Sequence, residues 1–403
     1  GSLVSRFDYT NDELARRTRR VDNSSVTNDF GYNPRSELTS AAMGTNDYGY
    51  AYDPIGNRQV ATNNSEVLTY LANQLNQYTG ILDGVTNVPT YDLDGNMLTY
   101  GNWTFGWDGE NRLVSASNGA TVVTFNYDFM SRRYQKGVGY ITNTFLYDGW
   151  AMIRETVGST TNWFAYGLDL SGSLQGAGTI GGLLTASLSG TNVFYFADGN
   201  GNVTDLTQAD GSIVGHYEFD AYGNTILQTG SLASANPFRF SSKYTDDETK
   251  LLYYGRRYLQ TEIGRWVNRD PIGEEVVLRQ FMRGRSIRDQ IRVRRMSYQT
   301  QAYLFVRNNP QDKCDPLGLF PWSDYTEGAN PDGSTKITIK KPCVIVILFG
   351  HGLSSKPHTF VFDKPCCTAG GFVGCDAGST NKKIPANNQS DDLKMTDGLI
   401  YLG

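Results

Sequence analysis

Cysteine is absent from the first 313 residues; Cys314, Cys343, Cys366, Cys367 and Cys375 all fall after that point. The body of the chain therefore carries no disulfide framework and no thiol chemistry, and it gives no information on redox compartment. Histidine is nearly as scarce, at His216, His351 and His358. Charged residues are 19 % and the net charge is −5 over 403 residues, which gives no support to nucleic-acid or membrane-surface binding by the whole chain. No run is long enough for a transmembrane span; the longest aliphatic one, Val344 to Phe349, is one strand long. The opening GSL shows no signal peptide and is expected to mark a fragment boundary.

What is abundant points one way. Aromatics make up 12 %, with 25 Tyr, beside 44 Gly. Aromatics pack well on pleated surfaces and glycine supplies positive φ at turns, so a mainly β fold with tight turns is expected, and disorder is excluded. The length favours one large body plus a smaller one.

An aromatic–Asp pair followed by a turn recurs: YDPIGNR at 52–58, YDLDGNM at 91–97, WDGENRL at 107–113, YDFMSRR at 127–133, YDGWAMI at 147–153, ADGNGNV at 197–203 and FDAYGNT at 219–225. Asp before Gly-Asn is hairpin chemistry, and flanks such as TVVTFNYD alternate with the strand period of two. Each unit of about twenty residues is too small to bury its aromatic face alone, so neighbours must stack. An ordinary β-sandwich with accidentally similar hairpins is the plain alternative.

The units resemble the YD repeats of Rhs proteins, shared by the C subunits of insecticidal toxin complexes and by teneurins. KYTDDETKLLYYGRRYLQTEIGRWVNRDPIG at 243–273 resembles the Rhs-associated core, and YLFVRNNPQDKCDPLGL at 303–319 resembles its end. The resemblance covers roughly residues 45–319. It implies a YD-repeat β-hairpin solenoid winding into part of a hollow shell (1–240), an Rhs-associated core (241–319) and a small variable C-terminal module (320–403). Closure of such a shell would need further N-terminal sequence.

By motif position the resemblance also implies an aspartyl-protease-like pair, Asp270 and Asp315, one from each DPxG motif. The basic residue before the first motif, Arg269, joins them, and the cut falls between Leu319 and Phe320. The residue types suit the task. Two close carboxylates do not both ionise cheaply, so one can activate water while its protonated partner donates to the scissile carbonyl. A substrate tethered in cis needs no binding step. The alternative is that both motifs are plain turns whose Asp bonds nearby backbone. The pattern departs from the family in an arginine-rich insert, VVLRQFMRGRSIRDQIRVRRMSYQTQ at 276–301, compatible with a basic helix. It either contacts an acidic cargo or nucleic acid, or is a solvated or shell-lining helix.

The tail offers two constellations. GHG at 350–352 and GCD at 374–376 place His351 before Cys375, the order of a caspase-like dyad. His351, His358, Cys366, Cys367 and Cys375 could furnish zinc ligands, although their spacing matches no standard finger. The plain reading is a small module with incidental cysteines. Eight Lys against eight Asp/Glu in 320–403 do not suggest nucleic-acid binding. His216 reads as structural. The expectation is a secreted or cell-surface shell that self-cleaves to free its own enclosed C-terminal peptide. It would need no cofactor, and its partners would be N-terminal shell sequence or a secretion-system component. The rivals are a non-cleaving surface YD-repeat protein capped by its tail, and a carrier whose only enzyme is the Cys/His tail.

Overall fold

A computed structural model describes residues 4–22, 25–271 and 302–319, and the backbone of four strands between 325 and 384. Alternation makes the strands. Val122–Tyr127, VVTFNY, buries Val123 and Phe125 and exposes Val122, Thr124 and Asn126, as a sheet covered on one face requires. Consecutive strands pair antiparallel in chain order. Nine, from Phe7–Asn11 to Val85–Asn87, form one sheet, and fourteen, from Thr90–Tyr91 to Thr225–Thr229, form the next. Four short strands come next: Tyr244–Thr245, Leu252–Tyr253, Tyr258–Gln260 and Arg265–Trp266. Tyr325–Ala329, Thr335–Ile339, His358–Phe362 and Asn381–Ile384 make a separate sheet that includes one parallel pairing, Thr335–Ile339 with His358–Phe362. Among the described residues no helix is long and apolar enough to cross a membrane.

The repeated Asp is the organiser of its turn. On Oδ1, Asp53 accepts the N–H of Ile55 (2.9 Å) and of Asn57 (2.8 Å); on Oδ2 it accepts the Asn57 side-chain amide at 2.7 Å. Asp92, Asp198 and Asp220 use Asn96, Asn202 and Asn224 in the same way, while Asp108 and Asp128 use the Nε of Arg112 and Arg132. The third residue after the Asp sits at positive φ, as at Gly56 (93°), Asn111 (58°) and Ser131 (63°), where glycine and asparagine are least strained. YDGWAMI departs from this pattern. Asp148 pairs with Ala151 across Gly149–Trp150 and exposes its side chain, so the chain has already reversed before the fourth residue and the four-residue bond is not made.

The aromatic residue before the Asp comes just after a one-residue register shift, and such bulges re-aim side chains. Tyr52, Tyr127, Tyr147 and Tyr166 each donate their hydroxyl to the carbonyl fourteen residues earlier, on Leu38, Leu113, Arg133 and Met152, at 2.8, 2.6, 2.8 and 3.0 Å. This bond ties each turn to the start of the preceding strand. Trp107 reaches back only ten residues, to Met97, at 2.7 Å.

Residues 222–271 and 302–319 seat on both large sheets. Tyr222 meets Tyr52 hydroxyl to hydroxyl at 2.6 Å, and Tyr258 meets Tyr127 at 2.8 Å. Arg133, with no exposed side-chain surface, pairs with Asp246 at 2.5 Å and lies over the rings of Phe125, Phe145, Tyr244 and Tyr253. Later residues of the segment run along turns of both sheets: in the second, Tyr303 donates to the Gly95 carbonyl (2.8 Å), and in the first, Arg265 donates to that of Asn76 (2.7 Å) and Asn308 to that of Gly56 (2.8 Å). Val306, Arg307 and Asn308, of the VRNNP stretch, all take positive φ to make that last contact. Residues 243–271 and 302–319 are thus packed against the repeats rather than appended to them.

The two kinds of Asp turn separate in a denaturation experiment. Asp53→Ala loses a charge-assisted cap and is expected to cost about 2 kcal/mol. Asp148→Ala is expected to stay within about 0.5 kcal/mol of the parent. Urea midpoints at constant slope measure both; equal losses would show that the hydrogen-bond pattern does not set the turn's stability.

Candidate active site

Arg257 lies in GRRYL, charged residues inside an otherwise apolar and aromatic run. A buried guanidinium must find anions or carbonyls for its five N–H groups, and this one does. Its side chain is 1 % exposed and stacks 4.2 Å from the centre of the Trp266 ring. Nη2 donates to Asp270 Oδ2 at 2.8 Å and faces Asp315 Oδ2 at 3.5 Å; Nη1 donates to the Ala302 carbonyl at 3.1 Å, and Nε to the Gly318 carbonyl. Asp270 and Asp315 are themselves 7 % and 1 % exposed. Burial pulls the Arg257 pKa down and the two carboxylates push it back up; the group stays cationic at any working pH. One cation therefore holds two acids from separate DPxG motifs, and their oxygens are no farther apart than the sum of the two contacts.

The chain after Asp315 is held atom by atom. Lys243 Nζ donates to the Pro316 carbonyl at 2.6 Å, the Arg256 N–H to the Leu317 carbonyl at 3.1 Å, and Arg257 Nε to that of Gly318. The Leu319 N–H donates to Asp315 Oδ1 at 2.9 Å. Gly318 has φ +71°, and a Cβ there would crowd the backbone nitrogen of Arg257, so the motif's last position needs glycine.

DPLGL has the geometry of a repeat turn. Its Asp accepts the N–H four residues on, and its glycine at the third position is left-handed, as in D53-P-I-G-N57. The difference is the fourth residue. Where the repeats place Asn or Arg to bond Oδ2, this turn has Leu319, which has no side-chain donor, and Oδ2 faces Arg257 instead.

The positions expected from sequence are only partly brought together. Asp270, Asp315 and Leu319 meet at this site. Arg269 is exposed and its stem lies against Gly95. The guanidinium that joins the acids is Arg257, thirteen residues before Asp270, and it takes the place expected for Arg269. Phe320, His351, Cys366, Cys367, Cys375 and the insert 276–301 lie outside the described residues, and His358 is described only as backbone opening a strand. His216 sits on Ile213–Phe219, and its Nδ1 lies 2.8 Å from Asp205, a hydrogen bond that raises its pKa.

A family model described as the teneurin YD-shell matches residues 6–308. The tRNA3(Ser)-specific nuclease WapA of Bacillus spizizenii is 29 % identical over 287 residues, covering 68 % of this chain and 11 % of that protein. The double-stranded DNA deaminase toxin A of Burkholderia cenocepacia is 24 % identical over 213 residues, covering 45 % and 15 %. Among solved structures, that of TcdB2-TccC3-Cdc42 aligns over 77 % of this chain and 19 % of that chain, at 18 % identity and a TM-score of 0.38. The chain thus spans only about a tenth of the length of the WapA nuclease, 11 %.

Removing the shared cation distinguishes the two arginines. Arg257→Met leaves two buried carboxylates without their counter-charge and is expected to cost about 3–5 kcal/mol. Arg269→Ala is expected to change stability by less than about 0.5 kcal/mol. Denaturant titration of the two variants checks this; a larger loss at Arg269 would reverse the assignment.

Proposed function

Because the chain belongs to the teneurin YD-shell family, we propose that it is the closing part of a toxin-enclosing shell whose core cuts its own chain between Leu319 and Phe320. In this reading residues 1–240 are hairpin repeats, 241–319 the core, and 320–403 the effector segment that the cut frees. The observation that carries it is the convergence of Asp270, Asp315 and the Gly318 carbonyl on one buried guanidinium, beside the Leu319 N–H bonded to Asp315.

One carboxylate of the pair takes a proton from water as the oxygen attacks the Leu319 carbonyl carbon. The other, protonated, donates to the carbonyl oxygen. Collapse of the tetrahedral intermediate breaks the C–N bond, the proton passes to the Phe320 nitrogen, and water has been added across the peptide. Arg257 keeps the pair together and limits the negative charge it carries. Because substrate and acids belong to one folded chain, orientation is supplied by the fold itself. The activities in the relatives' names, on tRNA and on double-stranded DNA, belong to those longer proteins. An effector role for 320–403 rests on its position after the core, and secretion or surface display with further shell sequence rests on the family.

A second reading is favoured by one observation. Because DPLGL reproduces a repeat turn, Asp315 has a sufficient structural role without any cut, as expected of a surface YD-repeat protein.

Intact-mass spectrometry separates the two. Cleavage yields a fragment ending at Leu319, lost in Asp270→Asn and in Asp315→Asn. Leu319→Asn, which restores the donor of a repeat turn to Asp315 Oδ2, is expected to slow the cut by about a hundredfold, while Leu319→Met leaves it. An intact 44.7 kDa parent chain would leave the structural reading, and unimpaired cutting in the Asp variants would remove the acid pair from the cut.

A further inference from the structure

The hairpin that opens the first sheet and the stretch that leads into Asp315 meet at one arginine. Arg17 begins the strand Arg17–Asp22, the partner of Phe7–Asn11. Its backbone N–H donates to Asp312 Oδ1 at 2.8 Å, and its Nη1 to the Gln311 carbonyl at 3.1 Å. The same guanidinium donates from Nη2 to the Gly199 carbonyl at 2.9 Å and from Nη1 to Asn200 Oδ1, in the turn after the strand Thr191–Ala197. The Asn200 side-chain amide in turn donates to the Pro310 carbonyl at 2.9 Å. The guanidinium carbon lies 4.4 Å from the centre of the Tyr9 ring, whose hydroxyl accepts the Gly199 N–H at 2.7 Å, and Arg20 pairs with Asp198 at 3.2 Å. Three segments are thus joined: the start of the first sheet, a late turn of the second, and residues 310–312.

This junction differs from the Arg257 site in two ways. Residues 17 and 199 are 182 positions apart, and closing so long a loop becomes favourable only after the strands between them have paired. Its bonds are also half-buried or exposed, and hydrogen bonds open to water break first in local opening. After Asp315 the chain is held by Lys243, Arg256 and Arg257; before it, the junction holds 310–312. We infer that Arg17 is a positioning residue of the self-cleavage site, through which closure of the first hairpin onto the second sheet licenses the cut. This rests on the cleavage reading above. With the junction closed, Asp315 is anchored on both sides and stays aligned with the peptide it acts on. With the junction open the upstream anchor is gone, and small losses of alignment cost rate steeply. The chain therefore stays whole until both sheets are wound.

The test is the rate at which full-length chain, pulse-labelled in cell-free synthesis, yields the fragment ending at Leu319. Arg17→Met is expected to slow the cut about tenfold, and Arg17→Lys, which keeps a donor for the carbonyls, to stay within about threefold of the parent. Asn200→Ala is expected to slow it as Arg17→Met does, and the double variant no further, because both open one junction. Val193→Ala, which leaves a cavity in the second sheet and lowers the urea midpoint, is expected to cut at the parental rate. Parental cutting in Arg17→Met, or equal slowing in Val193→Ala, would overturn the inference while leaving the acid pair in place. Should the variants not fold, the parent alone decides. Its cutting is expected to fail at urea concentrations below the onset of global unfolding seen by tryptophan fluorescence, and cutting that persists to that onset would overturn the inference. Cutting at Leu319 that survives Asp315→Asn would instead remove the cleavage reading on which it rests.

Discussion

The guanidinium of Arg257 is the point on which the closing segment depends. It is buried, and its contacts reach Asp270, Asp315, Ala302 and Gly318, positions that are distant in the chain. A buried charge destabilises a fold unless its partners are in place, and the partners here arrive only when both DPxG motifs have folded onto the same spot. Trp266 covers one side, and the aromatic faces of the two large sheets supply the rest of the apolar surround. The repeats are thus more than a container. They are the low-dielectric wall that makes two acids and their shared cation interact strongly.

The chemistry is built from a turn the chain uses throughout. In the repeats a carboxylate is fully committed: Oδ1 takes two backbone N–H groups and Oδ2 the side chain four residues on. Such an Asp is a structural anion. Leu at the fourth position, as in DPLGL, leaves the backbone half of the pattern intact and redirects the other oxygen to a shared cation. A small change in donor inventory, with the backbone geometry kept, turns a capping group into a candidate acid.

Much of this was legible in the letters. The aromatic–Asp spacing marked hairpins, and the structure is antiparallel hairpins in chain order. Asp270 and Asp315, 45 positions apart, were expected to meet and do so on one side chain. Other features were not legible, for physical reasons. Asp148 shares the YD letters but not the turn, because its strand pairs on to Ala151 across only two residues, a register the aromatic–Asp pair itself does not specify. Arg257 was hidden because long-range ion pairs follow no local period; the available signal was a charged pair inside LLYYGRRYL, where burial demands partners. Lys243 gave no signal at all, since its partners are backbone carbonyls of residues 178 and 316, set by tertiary approach alone.

The most direct measurement is cleavage of freshly synthesised chain in water enriched with heavy oxygen. If the acid pair activates water against the Leu319 carbonyl, the fragment ending at Leu319 carries one heavy oxygen in its new carboxylate and the fragment beginning at Phe320 carries none. A terminus at Leu319 without the label, or a chain that stays whole, would contradict the assignment.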